Sequence, residues 1–389
     1  MSALTVIGGG IGGLVTSIEA AERGFDVELH EAKTYLGGRA VTTRGAFHAN
    51  LGPHVLYDDG PFWEWLDTRH LAEPAARVPK LAPLYFRIDG RRRRVLPVRL
   101  LGALRRIRAA SAPQETSFHD WAEPLVGATS ARQIANFAGV VTFDHDPGRL
   151  AAAFVQQRVH RATAFPPRAR YFPGGWTTLV DRLARHAARL GVTICTDSHV
   201  TALPDPPVVL AVPMRAARAL LLDDSLRERG TSVACLDIGL RGPSKPPLIV
   251  SDLDASGFVE TFSIPDPSLA PEHHHLIQSQ AGLRPGESLD AVVGRLEELL
   301  DVGIPGWRER EAWRRRYRLD DNTGALDLPG QSWQTRARVD RGNGRFLVND
   351  QVAAPGLLSE VSWAAATAAV ADIDRALVDA STAAQRHAP

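Results

Sequence analysis

The chain has 389 residues, 45 Lys and Arg against 44 Asp and Glu, and a formal net charge of +1. That balance gives no reason to expect a nucleic-acid partner. Two cysteines, Cys195 and Cys235, are too few for a disulfide framework or a cysteine-rich metal site, and no run of about twenty apolar residues predicts a transmembrane helix.

A chain of this length exceeds one ordinary core, so two domains are expected. The N-terminus reads as a strand without a basic n-region or cleavage site, which points to a cytoplasmic protein with reduced thiols. Leu4 to Ile7 is β-branched and apolar, Gly8 to Gly13 is glycine-rich, and a helical pattern follows to Gly24. Phe25 to Glu31 then alternates as a strand. This is one βαβ unit with a G-x-G-x-x-G turn. Gly8 permits the tight bend, Gly10 lets backbone N–H groups reach a pyrophosphate, and Gly13 lets the helix pack against the strand. Ile11 and Gly12 open the helix, whose N-terminal N–H groups and dipole favour an anion. Glu31, followed by Ala32, stands where a carboxylate accepts from ribose hydroxyls. A glycine turn without ligand is the bland alternative. The acid and the flanking elements favour a dinucleotide.

Tyr35-Leu36-Gly37-Gly38-Arg39-Ala40 suits a second backbone approach to that ligand, with Gly38 close and Arg39 supplying charge to a diphosphate. The segment resembles the Gly-Gly-Arg signature of the flavoproteins that include amine oxidases, protoporphyrinogen oxidases and phytoene desaturases. Asn50-Leu51-Gly52-Pro53-His54 most resembles the phytoene desaturase and retinol saturase branch. The resemblance implies noncovalent FAD, an α/β fold with a glutathione-reductase-type Rossmann domain, and an inserted α+β substrate domain. It also implies that Gly52, Pro53 and His54 run past the flavin. His54 is a weak candidate base, and a hydrogen-bonded structural histidine is the plainer reading.

Further along, Pro61 to Leu71 predicts an amphipathic helix whose Phe62, Trp63, Trp65 and Leu66 are core. Leu84 to Leu96 predicts a hairpin turning at Asp89-Gly90, with a solvated arginine edge. Helices are expected at 98–110, 117–126, 131–140 and 149–162. Tyr171 to Leu179 returns the chain through a Pro-Gly-Gly turn to a helix at 178–190, then two short strands around 192–196 and Val200. Val208 to Pro213 is a buried parallel strand. Residues 216–315 leave again as mixed or antiparallel strands at 233–240, 248–251, 257–263 and 276–280 and a helix at 289–300. His273, His274 and His275 cannot converge on one ion from a strand, and no metal is expected.

Arg345 to Asp350 reads as a strand ending in an acid, and Pro355 to Ala366 as a glycine turn opening an alanine-rich helix. By resemblance, Val200 touches the adenine through its backbone. Asp350 holds the ribityl or diphosphate part, and the N–H groups of Gly356, Leu357 and Leu358 face the flavin. Asn349 departs from the usual glycine. Trp333 and Trp363 are loose candidates for aromatic residues beside the ring.

The domains are then discontinuous: 1–75, 166–215 and 318–389 bind FAD, and 76–165 and 216–317 bind substrate. The resemblance implies hydride removal from a C–H or C–N bond of a small or carrier-delivered metabolite, giving C=C or C=N. A flavin-dependent saturase or redox-neutral isomerase, and a non-catalytic FAD-binding partner protein, are the alternatives.

Overall fold

A computed structural model of the chain describes residues 2–80, 82–242, 246–321 and 323–386. The first βαβ unit forms as its sequence dictates. Strand Ala3–Ile7 leads through the glycines into helix Ile11–Glu22, and strand Asp26–His30 returns in parallel register, with Val6 opposite Leu29. Gly8 takes φ +106°, which a side chain would resist, and a Cβ at Gly13 would lie 1.8 Å from the Gly8 carbonyl oxygen. The helix therefore lies closer to the strand than any other residue type allows.

Distant segments complete this sheet. Its order is Arg345–Leu347, Val208–Leu210, Ala3–Ile7, Asp26–His30, Thr193–Cys195, and every pairing is parallel. Helices Ile11–Glu22 and Ser359–Arg386 share its core with Trp176–Arg189, in a cluster built on Leu14, Ile18, Leu179, Leu210 and Val370. Val200 lies outside any strand, so the second short strand expected there does not form.

A second sheet runs Glu311–Leu319, Val233–Arg241, His274–Gly282, Gly257–Thr261, Ile249–Asp252, Leu84–Ile88, Arg91–Arg93. It is antiparallel except where Ile249–Asp252 pairs in parallel with Leu84–Ile88. The arginine hairpin is thus its edge, turning at Asp89 (φ 52°) and Gly90 (φ 70°). Helix Leu289–Gly303 packs against it through Val292, Leu296 and Leu300. Helices Val98–Ala109, Phe118–Val126, Ala128–Thr142 and Ala152–Ala162 build a separate cluster around Ile107, Phe118, Ala135 and Val155. Ser117 caps the second of these, accepting from the Asp120 N–H at 3.1 Å. A small third sheet joins Leu56–Tyr57, Ala169–Tyr171 and Ala76–Arg77.

The three short strands of that sheet and one long strand escape the sequence reading. Glu311–Leu319 alternates with Trp313, Arg315 and Tyr317 turned inward, and an inward arginine hides the apolar alternation. The helix expected at 149–162 starts at Ala152, after a 3₁₀ turn at Pro147–Arg149. The helix expected at 131–140 extends to Ala128–Thr142, starting from Gly127 at φ +81°.

Gly13→Ala should lower the urea midpoint by a stability loss of about 3 kcal/mol, because the Cβ meets backbone and not a flexible side chain. Gly294→Ala, in an exposed helical position with nothing within 4 Å of the new methyl, should instead stabilise by about 0.5–1 kcal/mol. Equal midpoints for the two variants would contradict this account of the turn.

Candidate functional site

One cavity of about 1200 Å³ runs between the two large sheets. At one end its wall is the glycine turn. Gly8, Gly10, Ile11 and Gly12 line it, and a Cβ at Gly10 would meet only the Gly37 carbonyl oxygen, 4.0 Å away. The protein therefore leaves open the space a side chain would fill. Gly10 caps the helix without a side-chain hydrogen bond, so the N-terminal N–H groups face this space. The turn is held from behind: the Gly8 N–H donates to the His30 carbonyl (2.7 Å) and Gly37 N–H to that of Gly9 (2.8 Å).

Glu31 and Ala32 line the same end. The Glu31 carboxylate is fixed by two backbone donors, Gly9 N–H at 2.7 Å and Lys33 N–H at 2.9 Å. Each oxygen keeps a lone pair for a hydroxyl. Val200 lines the cavity, as do His30, Lys33, Ser198 and His199, which belong to no sequence motif. His30 Nδ1 and Ser198 Oγ are 2.8 Å apart, which fixes the ring.

Gly38, Arg39, Pro53, His54 and Asp350 meet in the middle of the cavity. Arg39 Nη1 and Asp350 Oδ2 form an ion pair of 2.7 Å across 311 positions of sequence. His54 is buried, its ring packs edge-on against Trp176 at 5.4 Å, and its Nε2 has no protein partner. Burial, together with the Arg39 charge, lowers its pKa to about 4. The imidazole is therefore neutral at pH 7 and a weak proton acceptor, which counts against its role as base.

Four expected residues stay off the cavity wall. Gly13 packs helix on strand, and the Gly52 N–H donates to Tyr317 Oη at 2.8 Å. Gly356 (φ +122°) turns the chain, and a Cβ there would meet Glu360 at 2.7 Å. Leu357 is buried, and its N–H is already used: it donates to Glu360 Oε2 at 2.9 Å. Of that trio only Leu358 reaches the cavity. Asn349 also lines it, but its side chain is tied down. Its Nδ2 donates to the Val212 carbonyl at 3.1 Å, and its Oδ1 accepts from Gln351 N–H at 2.8 Å. Its backbone is not left-handed, so the departure from glycine introduces no strain there. Trp333 and Trp363 are both absent from the wall.

Beyond His54 the cavity becomes apolar. Leu100, Ile134, Phe137, Val141, Leu253 and Phe258 form its far chamber. The aromatic walls come from Tyr57, Tyr171 and Trp176 in place of the two tryptophans expected. One acid stands among them. Glu260 is buried on the second sheet and accepts from the Tyr171 hydroxyl at 2.5 Å. Burial raises its pKa to about 7. Gln133 also faces the chamber, its Oε1 buried without a partner. Nothing in the local sequence of either residue marks it, since both lie in segments without motifs.

The family model described as an NAD(P)-binding Rossmann-like domain matches residues 6–68. Over 55 residues the chain is 40% identical to the 4,4'-diaponeurosporene oxygenase of Staphylococcus haemolyticus, covering 14% of this chain and 11% of that protein. Over 56 residues it is 30% identical to the zeta-carotene desaturase of Solanum lycopersicum, covering 14% of this chain and 10% of that protein. The cyclohexylamine oxidase of Brevibacterium oxydans superposes with a TM-score of 0.72 at 14% identity, covering 97% of this chain and 99% of that one. The chain shares the overall fold of that oxidase, with a Rossmann-like domain at its start. Its sequence matches to the two carotenoid enzymes span only about a tenth of their length. The matched segment contains the glycine turn, Glu31, Arg39 and His54, and later segments add Ser198, Val200 and Asp350 to the same part of the cavity.

Glu260 binds its proton more tightly in the folded chain than at the ordinary value of 4.5. Its contribution to stability is therefore full below pH 4.5 and lost as pH rises through about 7. Relative to Glu260→Gln, the wild type should lose on the order of 1–3 kcal/mol across that window, read from thermal midpoints. Parallel midpoint curves would show that Glu260 ionises normally.

Proposed function

We propose that the chain is an FAD-dependent oxidoreductase that removes hydride from a C–H or C–N bond of an apolar small molecule, leaving C=C or C=N. The observation that carries this reading is one continuous cavity: a polar, glycine-walled half opens into an apolar chamber lined by helices and the other sheet.

The residues present fit the cofactor. The N–H groups of the glycine turn would take the diphosphate, Glu31 the ribose, and the cleft of His30, Lys33 and Val200 the adenine. Arg39 and Asp350, already paired, would orient the middle of the molecule. His54 Nε2, lacking a protein partner, is a neutral hydrogen-bonding group left for a ligand. Bound FAD would supply the hydride acceptor. The protein's own task is orientation: the far chamber excludes water and holds the substrate carbon in line. Protonated Glu260 can donate from one oxygen and accept at the other, fixing a polar end group without presenting a full charge. On this reading residues 1–75, 166–215 and 318–389 form the cofactor part, and 76–165 and 216–317 the substrate part. The compartment is the cytoplasm, consistent with two free cysteines.

Purified protein supplied with FAD should show a flavin spectrum that bleaches anaerobically with one metabolite pool. Arg39→Ala, which strands the Asp350 carboxylate, should weaken FAD binding by at least about tenfold. No flavin after reconstitution would end the cofactor assignment. Flavin that no pool bleaches would favour the non-catalytic alternative.

A further inference from the structure

The surface around the apolar end of the cavity has an unusual composition. Residues 90–110 contain eight arginines (91–94, 99, 105, 106 and 108) and no acid, although the whole chain stands at +1. None of the eight forms an ion pair among the described residues. Arg92 donates to the Gly303 carbonyl at 3.1 Å and covers the Tyr85 ring. Arg106 and Arg108 reach carbonyls, and the other five side chains make no hydrogen bond among the described residues. A solvated arginine edge on the hairpin explains Arg91 to Arg94. It does not explain the apolar side chains that accompany them.

Val95 is 72% exposed, Val98 86% and Phe165 93%. Three large apolar groups so bare are costly unless something covers them. They lie together. Helix Val98–Ala109 turns Leu100, Leu104 and Ile107 inward, with Leu100 and Leu104 on the cavity wall, and presents Val98, Leu101 and Arg105 outward. Its far end is tied to the segment before Phe165 by Arg108 Nη1, which donates to the Thr163 carbonyl at 3.0 Å and to its hydroxyl at 3.1 Å. Phe165 is almost wholly exposed and still lines the cavity, so it stands at the rim. Bare apolar tips and guanidinium groups without a carboxylate partner among the described residues therefore flank a helix and a rim residue of the apolar chamber.

We propose that this face docks on an anionic lipid bilayer, with Val95, Val98 and Phe165 in the interfacial zone and the surrounding arginines at lipid phosphates. The chamber would then exchange an apolar substrate directly with the membrane. An acidic protein would satisfy the charge but would leave the three apolar tips in water. A bilayer interface takes both, and an arginine stem can lie along apolar surface while its head meets a phosphate. The described helices include none long and apolar enough to cross a membrane, so the contact is peripheral. The docking face is independent of the redox reading: it concerns where the cavity opens and not what reacts inside.

The test is flotation of the full chain with vesicles of phosphatidylcholine alone and with about one-third phosphatidylglycerol. The chain should float with the anionic vesicles only, and release as salt rises to about 0.5 M. Each arginine near such a surface is worth about fivefold in partitioning, so Arg94→Gln with Arg99→Gln should reduce binding by at least about tenfold. Val98→Asp with Phe165→Asp, at sites too exposed to disturb the core, should reduce it by a similar factor, with circular dichroism unchanged. No flotation with anionic vesicles overturns the proposal. Binding that the Asp pair leaves intact overturns it as well, because attraction by charge alone suits an acidic protein surface equally.

Discussion

Asn50 joins the two halves of the molecule. Its Oδ1 accepts from the Thr42 hydroxyl at 2.8 Å and from Trp176 N–H at 3.2 Å, both on the dinucleotide side. Its backbone faces the other sheet, where its N–H donates to Gln278 Oε1 (3.2 Å) and its carbonyl accepts from Gln278 Nε2 (2.9 Å) and Arg315 (2.7 Å). Arg315 and Gln278 in turn hold Asp237, which is wholly buried. Burial raises the pKa of that carboxyl to about 6, and the Arg315 charge opposes the shift. Such a network costs heavily if any partner is missing, so it fixes the separation of the sheets more firmly than apolar contact does. The cavity is the space that this separation leaves, and Leu51, Pro53 and His54 line it directly after the joint.

The sequence exposed what depends on backbone. A glycine that must lie against another chain segment, or an acid at a strand end, is written into spacing, and the first βαβ unit folds accordingly. The arginine hairpin was equally legible, because Asp89-Gly90 admits positive φ at both positions. Features that depend on the meeting of remote segments left no local signal. Glu311–Leu319 hides as a strand because its inward Arg315 finds Asp237 only in the folded state. Glu260 reads as one more surface acid until Tyr171 and the apolar chamber close around it. Leu357 illustrates the reverse case. The turn and helix start were foreseen, but the carboxylate of Glu360 takes the N–H assigned to a ligand.

The cavity also divides by the kind of group each sheet can offer. Parallel strands end together and present helix N-termini and backbone donors at one edge, a suitable place for a charged ligand. The second sheet presents side-chain faces and not chain ends, and it contributes Leu84, Tyr85, Phe86, Ile249, Ser251, Phe258 and a single acid. The polar end thus follows from the parallel sheet, and the apolar end from helices Val98–Ala109 and Ala128–Thr142 packed beside the second sheet.

The order of strands carries a consequence for biosynthesis. Arg345–Leu347 is the outer neighbour of Val208–Leu210, and Asp350 and Leu358 follow it into the cavity wall. Until Arg345–Leu347 has been made, Val208–Leu210 is an open, wholly apolar edge and Asp350 cannot pair with Arg39. The pocket that greets the first forty residues is therefore finished by almost the last forty. A ligand that depended on both Arg39 and Asp350 would be captured only after that late strand had paired.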